Sequence, residues 1–152
     1  MKPKICVRMK KIRKPNGEEA FTSSVPMNVV FDKSFDADTL QRELKLLERE
    51  YADLIDSLKK IIQQINSKST SNKVLLYWKL GDKIYSYERV NVKRDLTLES
   101  VTEHLARDLG VSKNVIRRCR RFRILYPEIS MIDPHRSWTS YLKTFEKGYM
   151  QR

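Results

Sequence analysis

Two cysteines and two histidines are all that this chain offers to a disulfide or a soft metal, and none is spaced to serve one. Cys6 and Cys119 stand too far apart in sequence to suggest a framework, and His104 and His135 complete no ligand spacing with them. Zinc-stapled and disulfide-rich scaffolds are thereby excluded, and no cofactor is expected. Cys119 reads instead as a small apolar residue on the inner face of a helix. No apolar run approaches the roughly 18 residues of a membrane span, and no N-terminal apolar region has signal-peptide length. The expectation is a reduced, soluble, cytoplasmic protein with no membrane partner. Catalytic signatures are missing as well: no nucleophile elbow, no phosphate loop, no paired metal-binding carboxylates, no histidine relay. Glu43, Glu50, Asp53 and Asp56 alternate with lysines and arginines, as on a solvated helix face. The chain reads as a binder rather than an enzyme.

What is abundant is positive charge, and it is unevenly placed. The net charge of the 152 residues is +12. The first fifteen residues carry seven Lys or Arg and no acid, whereas Asp38 to Lys60 is close to neutral. A second cluster, Lys113, Arg117, Arg118, Arg120, Arg121 and Arg123, falls within eleven residues, and no acid lies between Asp108 and Glu128. A merely solvated helix would mix signs to gain pairs four residues apart. This one repels itself, so a polyanion is the natural neutraliser.

Hydrophobic periodicity divides the chain into three parts. Residues 1–35 form a basic arm, with strand-like Ile5–Lys14 and Glu18–Val25 flanking the turn signal Pro15-Asn16-Gly17. A β-hairpin is expected there, and Arg8, Lys10, Lys11 and Arg13 are its candidate DNA contacts. A solvated edge strand guarded by lysines is the competing explanation. Residues 36–66 form a long helix with Leu40, Leu44, Leu47, Tyr51, Leu54, Leu58, Ile61 and Ile65 in alternating steps of four and three. At 1.5 Å per residue it spans about 45 Å. That stripe suits packing within a bundle as well as a coiled coil, and a homodimer through residues 40–65 would supply a second half-site. Residues 73–152 form a helical domain. Lys73–Glu88 is its first helix, and Gly81 within it calls for close packing as its reason. Asn91 to Asp95 reads as a polar connector, and Ser137–Lys147 as a last helix whose Trp138, Tyr141, Leu142 and Phe145 form a core stripe. The fold class expected is mainly α, with a helix-turn-helix, a long heptad helix and an N-terminal hairpin.

The helix-turn-helix occupies residues 98–126. Thr97 is placed to cap its first helix, Ala106 is small where the second helix crosses, and Gly110 can adopt the left-handed conformation that ends the first. Ser112 is a natural N-cap for the second helix. Leu105, Leu109, Val111, Ile116 and Cys119 point inward. Ser112, Lys113, Asn114, Arg117, Arg118 and Arg121 lie outward, with Arg123 further along, and together these seven are the candidate DNA-binding residues. Guanidinium and amide groups on one face of such a helix can read base edges in the major groove. Arg120, near the inward line of Cys119, and Arg123, also in the C-terminal half, are expected in a phosphate contact or an internal ion pair.

From about Tyr51 onward the sequence resembles the N-terminal domain of the YhcG family, whose longer members add a PD-(D/E)xK nuclease domain. Leu76-Tyr77-Trp78 with Gly81 and Ile84, then Leu105, Asp108 and Leu109, carry the likeness. So do Ser112, Ile116, Arg117, Arg120, Phe122 and Pro127, and finally Ser137-Trp138-Thr139-Ser140-Tyr141. The chain departs from the family at Val115, where an Asn is usual, and at Ser140, where a His is usual. It has no Pro-Asp followed by Asp/Glu-x-Lys. The resemblance implies a DNA-associated targeting module without its catalytic partner, which makes a separate nuclease subunit a candidate partner. Two functions follow from the sequence: a protein that binds double-stranded DNA, as a regulator or targeting module of a mobile-element or defence system, or a helical assembly module that docks a separate nuclease or other partner.

Overall fold

The computed structural model describes residues 9–13, 19–23, 26, 37–67, 72–93, 98 and 100–150. Within them the protein is mainly helical. The heptad stripe forms one uninterrupted helix, α1 (Ala37–Asn66). After a short connection, α2 (Lys73–Lys93) returns along it, so that Tyr51 meets Tyr87 with ring centroids 6.2 Å apart. Asn72 opens this helix at φ 61, a left-handed conformation that Asn tolerates better than most residues. Next come α3 (Val101–Leu109), α4 (Lys113–Leu125), a single 3₁₀ turn (Ile129–Met131) and α5 (Trp138–Met150). Ahead of the helices, β1 (Met9–Arg13) pairs antiparallel with β2 (Glu19–Ser23), Lys11 opposite Phe21. The Pro15-Asn16-Gly17 turn and the flanks of the expected hairpin lie outside the described residues. Among the described residues no helix is long and apolar enough to cross a membrane.

The α1 stripe is covered within one chain. Leu47, Tyr51, Leu54, Leu58, Ile61 and Ile65 are all buried, packed with Leu76, Leu80 and Ile84 of α2 and Val101 and Leu105 of α3. The stripe expected as a homodimer seam through residues 40–65 is thus occupied by its own chain from Leu47 to Ile65. The side chains of Leu40 and Leu44 lie outside the described residues.

A second cluster gathers Val74 and Trp78 of α2, Phe122 of α4, Ile132, and Tyr141 and Phe145 of α5. Phe122 is its hub, with four other aromatic rings centred 5.0–5.4 Å away. The stripe expected at Trp138, Tyr141, Leu142 and Phe145 is indeed core, and α5 runs three residues past the bound read from sequence.

Two other boundaries differ from expectation. The connector placed at Asn91 to Asp95 begins later, because α2 continues to Lys93. Asn91 is fully buried inside that helix, and its Nδ2 donates to the Tyr87 carbonyl at 2.9 Å. One local amide contact lets a polar residue stay in the helix where composition alone suggests a break. The cap of α3 is Ser100 rather than Thr97, which lies outside the described residues. Ser100 has φ 55 and makes no side-chain capping bond.

Candidate nucleic-acid interface

The turn between α3 and α4 follows from two residues. Gly110 sits at φ 67, and its N–H and that of Val111 both donate to the Ala106 carbonyl, which closes α3. A Cβ at Gly110 would meet nothing within 4 Å, so backbone conformation rather than space requires glycine. Ser112 then holds φ −72 and ψ 153, and its hydroxyl accepts the Val115 N–H at 3.3 Å. That is an N-cap, satisfying one of the donors a helix start leaves orphaned. Pro127 follows the last residue of the turn that ends α4, and Tyr126 leaves helical angles there.

The inner face of α4 consists of Ile116, Cys119 and Phe122, each fully buried. Its seat on α2 is unusually close. A Cβ on Gly81 would lie 1.9 Å from the Cys119 carbonyl oxygen and 2.6 Å from its carbon. Backbone meets backbone at that crossing, which is the packing reason the mid-helix glycine called for. Burial raises the Cys119 thiol to about 12, so it is a packing group and not a nucleophile.

The arginines of α4 divide into two kinds. Arg120 donates from Nε to Glu88 Oε1 at 2.7 Å and from Nη1 to Thr102 Oγ1 at 3.1 Å, tying α2, α3 and α4 together. Arg123 donates to Asp82 Oδ1 at 2.8 Å and lies over the rings of Tyr85 and Trp78, 4.7 and 5.7 Å from their centroids. Trp78 in turn donates from Nε1 to the Tyr126 carbonyl at 2.7 Å. Arg123, one of the seven candidate DNA-binding residues and expected in a phosphate contact or an internal ion pair, makes the ion pair. Its charge is neutralised by Asp82 and its plane is covered by aromatics, so it holds α4 on α2.

The remaining candidates stay outside. Ser112, Lys113, Asn114, Arg117 and Arg118 are exposed, and Arg121 is half-buried. Arg118 and Arg121 also interact within the chain. Lys113 and Arg117 have no ion-pair partner among the described residues. Towards its C-terminal end the outer face changes character: Ile124 is 52% exposed, Leu125 42%, and the following turn exposes Ile129 and Met131. Of the arm candidates, Lys10, Lys11 and Arg13 lie on β1, and Arg8 falls outside the described residues.

The two carboxylates that hold α4 on α2 were not singled out from sequence. Asp82 and Glu88 are the only carboxylates on α2, and both face α4. That scarcity was the available signal. Asp108 of α3 accepts the Tyr51 hydroxyl at 2.5 Å and the Arg107 Nε at 2.9 Å. Burial works to raise the Asp108 carboxyl, yet the bonds from Arg107 and Tyr51 prevail and hold it below the usual carboxylate range. Burial, reinforced by Asp108, drives the Tyr51 phenol far upward. Among the described residues no group of His, Cys, Asp and Glu could hold a metal ion. No family model, curated protein or solved structure matches the chain.

Proposed function

We propose that α3 and α4 form a helix-turn-helix that binds double-stranded DNA, with α4 as the recognition helix and no catalytic step of its own. One observation carries this reading. The core-facing arginines, Arg120 and Arg123, are neutralised by Glu88 and Asp82, while Lys113, Asn114 and Arg117 stand exposed on a face that bears no acid. A helix that neutralises Arg120 and Arg123 internally and leaves Lys113 and Arg117 without an ion-pair partner among the described residues is arranged for an external polyanion. Arg117 lies one turn after the Ser112 cap, where a side chain can reach a guanine edge, and Asn114 can read adenine. The basic hairpin arm of residues 1–35 adds phosphate contacts through Arg8, Lys10, Lys11 and Arg13. On the YhcG resemblance, the protein is a cytoplasmic targeting module or regulator of a mobile-element or defence system.

Duplex binding measured across a salt series tests this. About five phosphate contacts give a log–log slope near −4 to −5. Affinity independent of salt, or absent at low salt, overturns the reading. A second reading is favoured by the apolar end of the same face. Ile124, Leu125, Ile129 and Met131, exposed within eight residues of one another, suit a protein partner such as a separate nuclease subunit. Docking there would be nearly insensitive to salt.

A further inference from the structure

A cleft of about 350 Å³ opens between the start of α2 and the start of α5, away from the outer face of α4. Its walls include Lys73, Tyr77, His135, Arg136 and Trp138. Tyr77 and Trp138 stack face to face, centroids 4.3 Å apart and planes within 10°, which makes a flat, rigid aromatic wall. Arg136 is fixed in place rather than free to wander. Its Nε donates to Ser140 Oγ at 2.8 Å, its Nη2 to Thr144 Oγ1 at 2.7 Å, and its guanidinium lies 4.2 Å over the Tyr141 ring.

All of those partners are neutral. Among the described residues neither Arg136 nor Lys73 has a carboxylate partner. The one acid of the adjoining turn, Asp133, accepts the backbone N–H of His135 at 2.9 Å. Two cations, one of them positioned by the Ser140 hydroxyl and carbonyl, Thr144 and the Tyr141 ring and neither paired with a carboxylate among the described residues, therefore share a cleft with an aromatic plane. A guanidinium and an ammonium lining one cleft suit a phosphate oxygen cluster, and an aromatic wall favours a planar group beside it.

We infer that this cleft binds the phosphate of a nucleotide, with Arg136 and Lys73 on the phosphate and the Tyr77–Trp138 stack against the base. The nucleotide can be free or can be the 5′ end of a nucleic-acid strand. The inference uses no residue of α4 and stands apart from the proposed helix-turn-helix.

The test is calorimetric titration of the full chain with adenosine 5′-monophosphate, adenosine and inorganic phosphate. The monophosphate should bind more tightly than either of the others. Lys73 is exposed and has no internal partner among the described residues, so Lys73→Gln leaves the fold intact and should weaken monophosphate binding about tenfold or more. Arg136→Gln should do the same, with thermal unfolding as its control because Arg136 also braces α5. Lys113→Ala with Arg117→Ala should leave it unchanged. A preference for a 5′-phosphorylated over a 5′-hydroxyl single strand, exceeding that for the free monophosphate, identifies a strand end as the source; the reverse identifies a free nucleotide. Adenosine binding as well as its monophosphate, or an unchanged Lys73→Gln variant, overturns the phosphate site. Inorganic phosphate binding as tightly as the nucleotide overturns the role of the aromatic wall.

Discussion

α1 and α4 are both amphipathic helices with a fully buried inner stripe, yet their outer faces are built on opposite plans. The exposed side of α1 alternates Lys45, Arg49, Asp53, Asp56, Lys59 and Lys60, so its charges offset one another along the helix. The exposed side of α4 carries Lys113, Asn114, Arg117 and Arg118, then Ile124 and Leu125, with no acid at all. A scaffold helix needs only to stay solvated. On α4, Lys113 and Arg117 have no ion-pair partner among the described residues, and Ile124 and Leu125 are exposed beyond them. The contrast is what the proposed division of labour, α1 for support and α4 for recognition, rests on, and it can be broken by substitution.

The largest effect should come from the α1 stripe. Leu47→Lys with Leu54→Lys puts two unpaired charges into the core, where each is costly to bury. The variant should lose cooperative thermal unfolding. A protein that still unfolds cooperatively but changes its mass in light scattering would restore the dimer seam. Gly81→Ala comes next. Overpacking usually costs about 1–3 kcal/mol, and a Cβ driven into the Cys119 carbonyl belongs at or above the top of that range. The gain of up to about 1 kcal/mol in helix propensity does not offset it. Denaturant midpoints give the difference, and an unaltered midpoint would mean that α4 does not sit on α2 as closely as described.

Glu88→Gln should cost less, about 1.5–3 kcal/mol at most, since Arg120 and Glu88 retain about a fifth and a quarter of their side-chain exposure. The loss should appear in stability first and in duplex affinity only through misplacement of α4. Smaller again is the link between α1 and α3. The folded Asp108 carboxyl is depressed, so it contributes stability above its unfolded pKa, and that contribution fades as pH falls through the folded value. Tyr51 works at the other end of the scale. Its folded pKa is raised, so its contribution is complete below about pH 10, the ordinary phenol value, and is lost as pH climbs beyond it. Tyr51→Phe removes one bond and should cost about 1 kcal/mol near neutral pH while flattening the alkaline limb. A variant with the wild-type alkaline profile would remove Tyr51 from that role.

Much of this arrangement was legible in the sequence, because it rests on local rules. The period of the α1 leucines gives the helix, Gly110 and Ser112 give the turn, Pro127 gives the stop, and Gly81 announces a close crossing. What was hidden depends on which surfaces meet. Periodicity marks the α1 stripe as buried but cannot say by what, so a self-filled core and a dimer seam read alike. Residue spacing on α4 leaves Arg123 between a phosphate contact and an internal ion pair, and only the docking of α2 brings Asp82, Tyr85 and Trp78 to it. Asn91 reads as a breaker until its amide is seen to bond one turn back. The interface itself remains a reading of charge, drawn from the absence of any acid on the outer face of α4.

The smallest effect on stability belongs to the residue on which the proposed recognition depends most. Arg117 is exposed and has no internal partner among the described residues, so Arg117→Ala should leave the unfolding midpoint within about 0.5 kcal/mol of wild type. Duplex affinity should nevertheless fall, and the preference for the best site over random duplex should narrow by about 1–3 kcal/mol, the worth of one bidentate base contact. Arg123→Ala should behave in the opposite way. It removes the Asp82 pair and the stack on Tyr85, lowers stability, and leaves base preference unchanged while the protein remains folded. Measuring both variants in both assays separates a helix that is merely basic from one that reads DNA. If Arg117 and Arg123 lower affinity equally on every sequence, α4 contributes charge alone. The exposed apolar end at Ile124 and Leu125 would then be the stronger claim on its function.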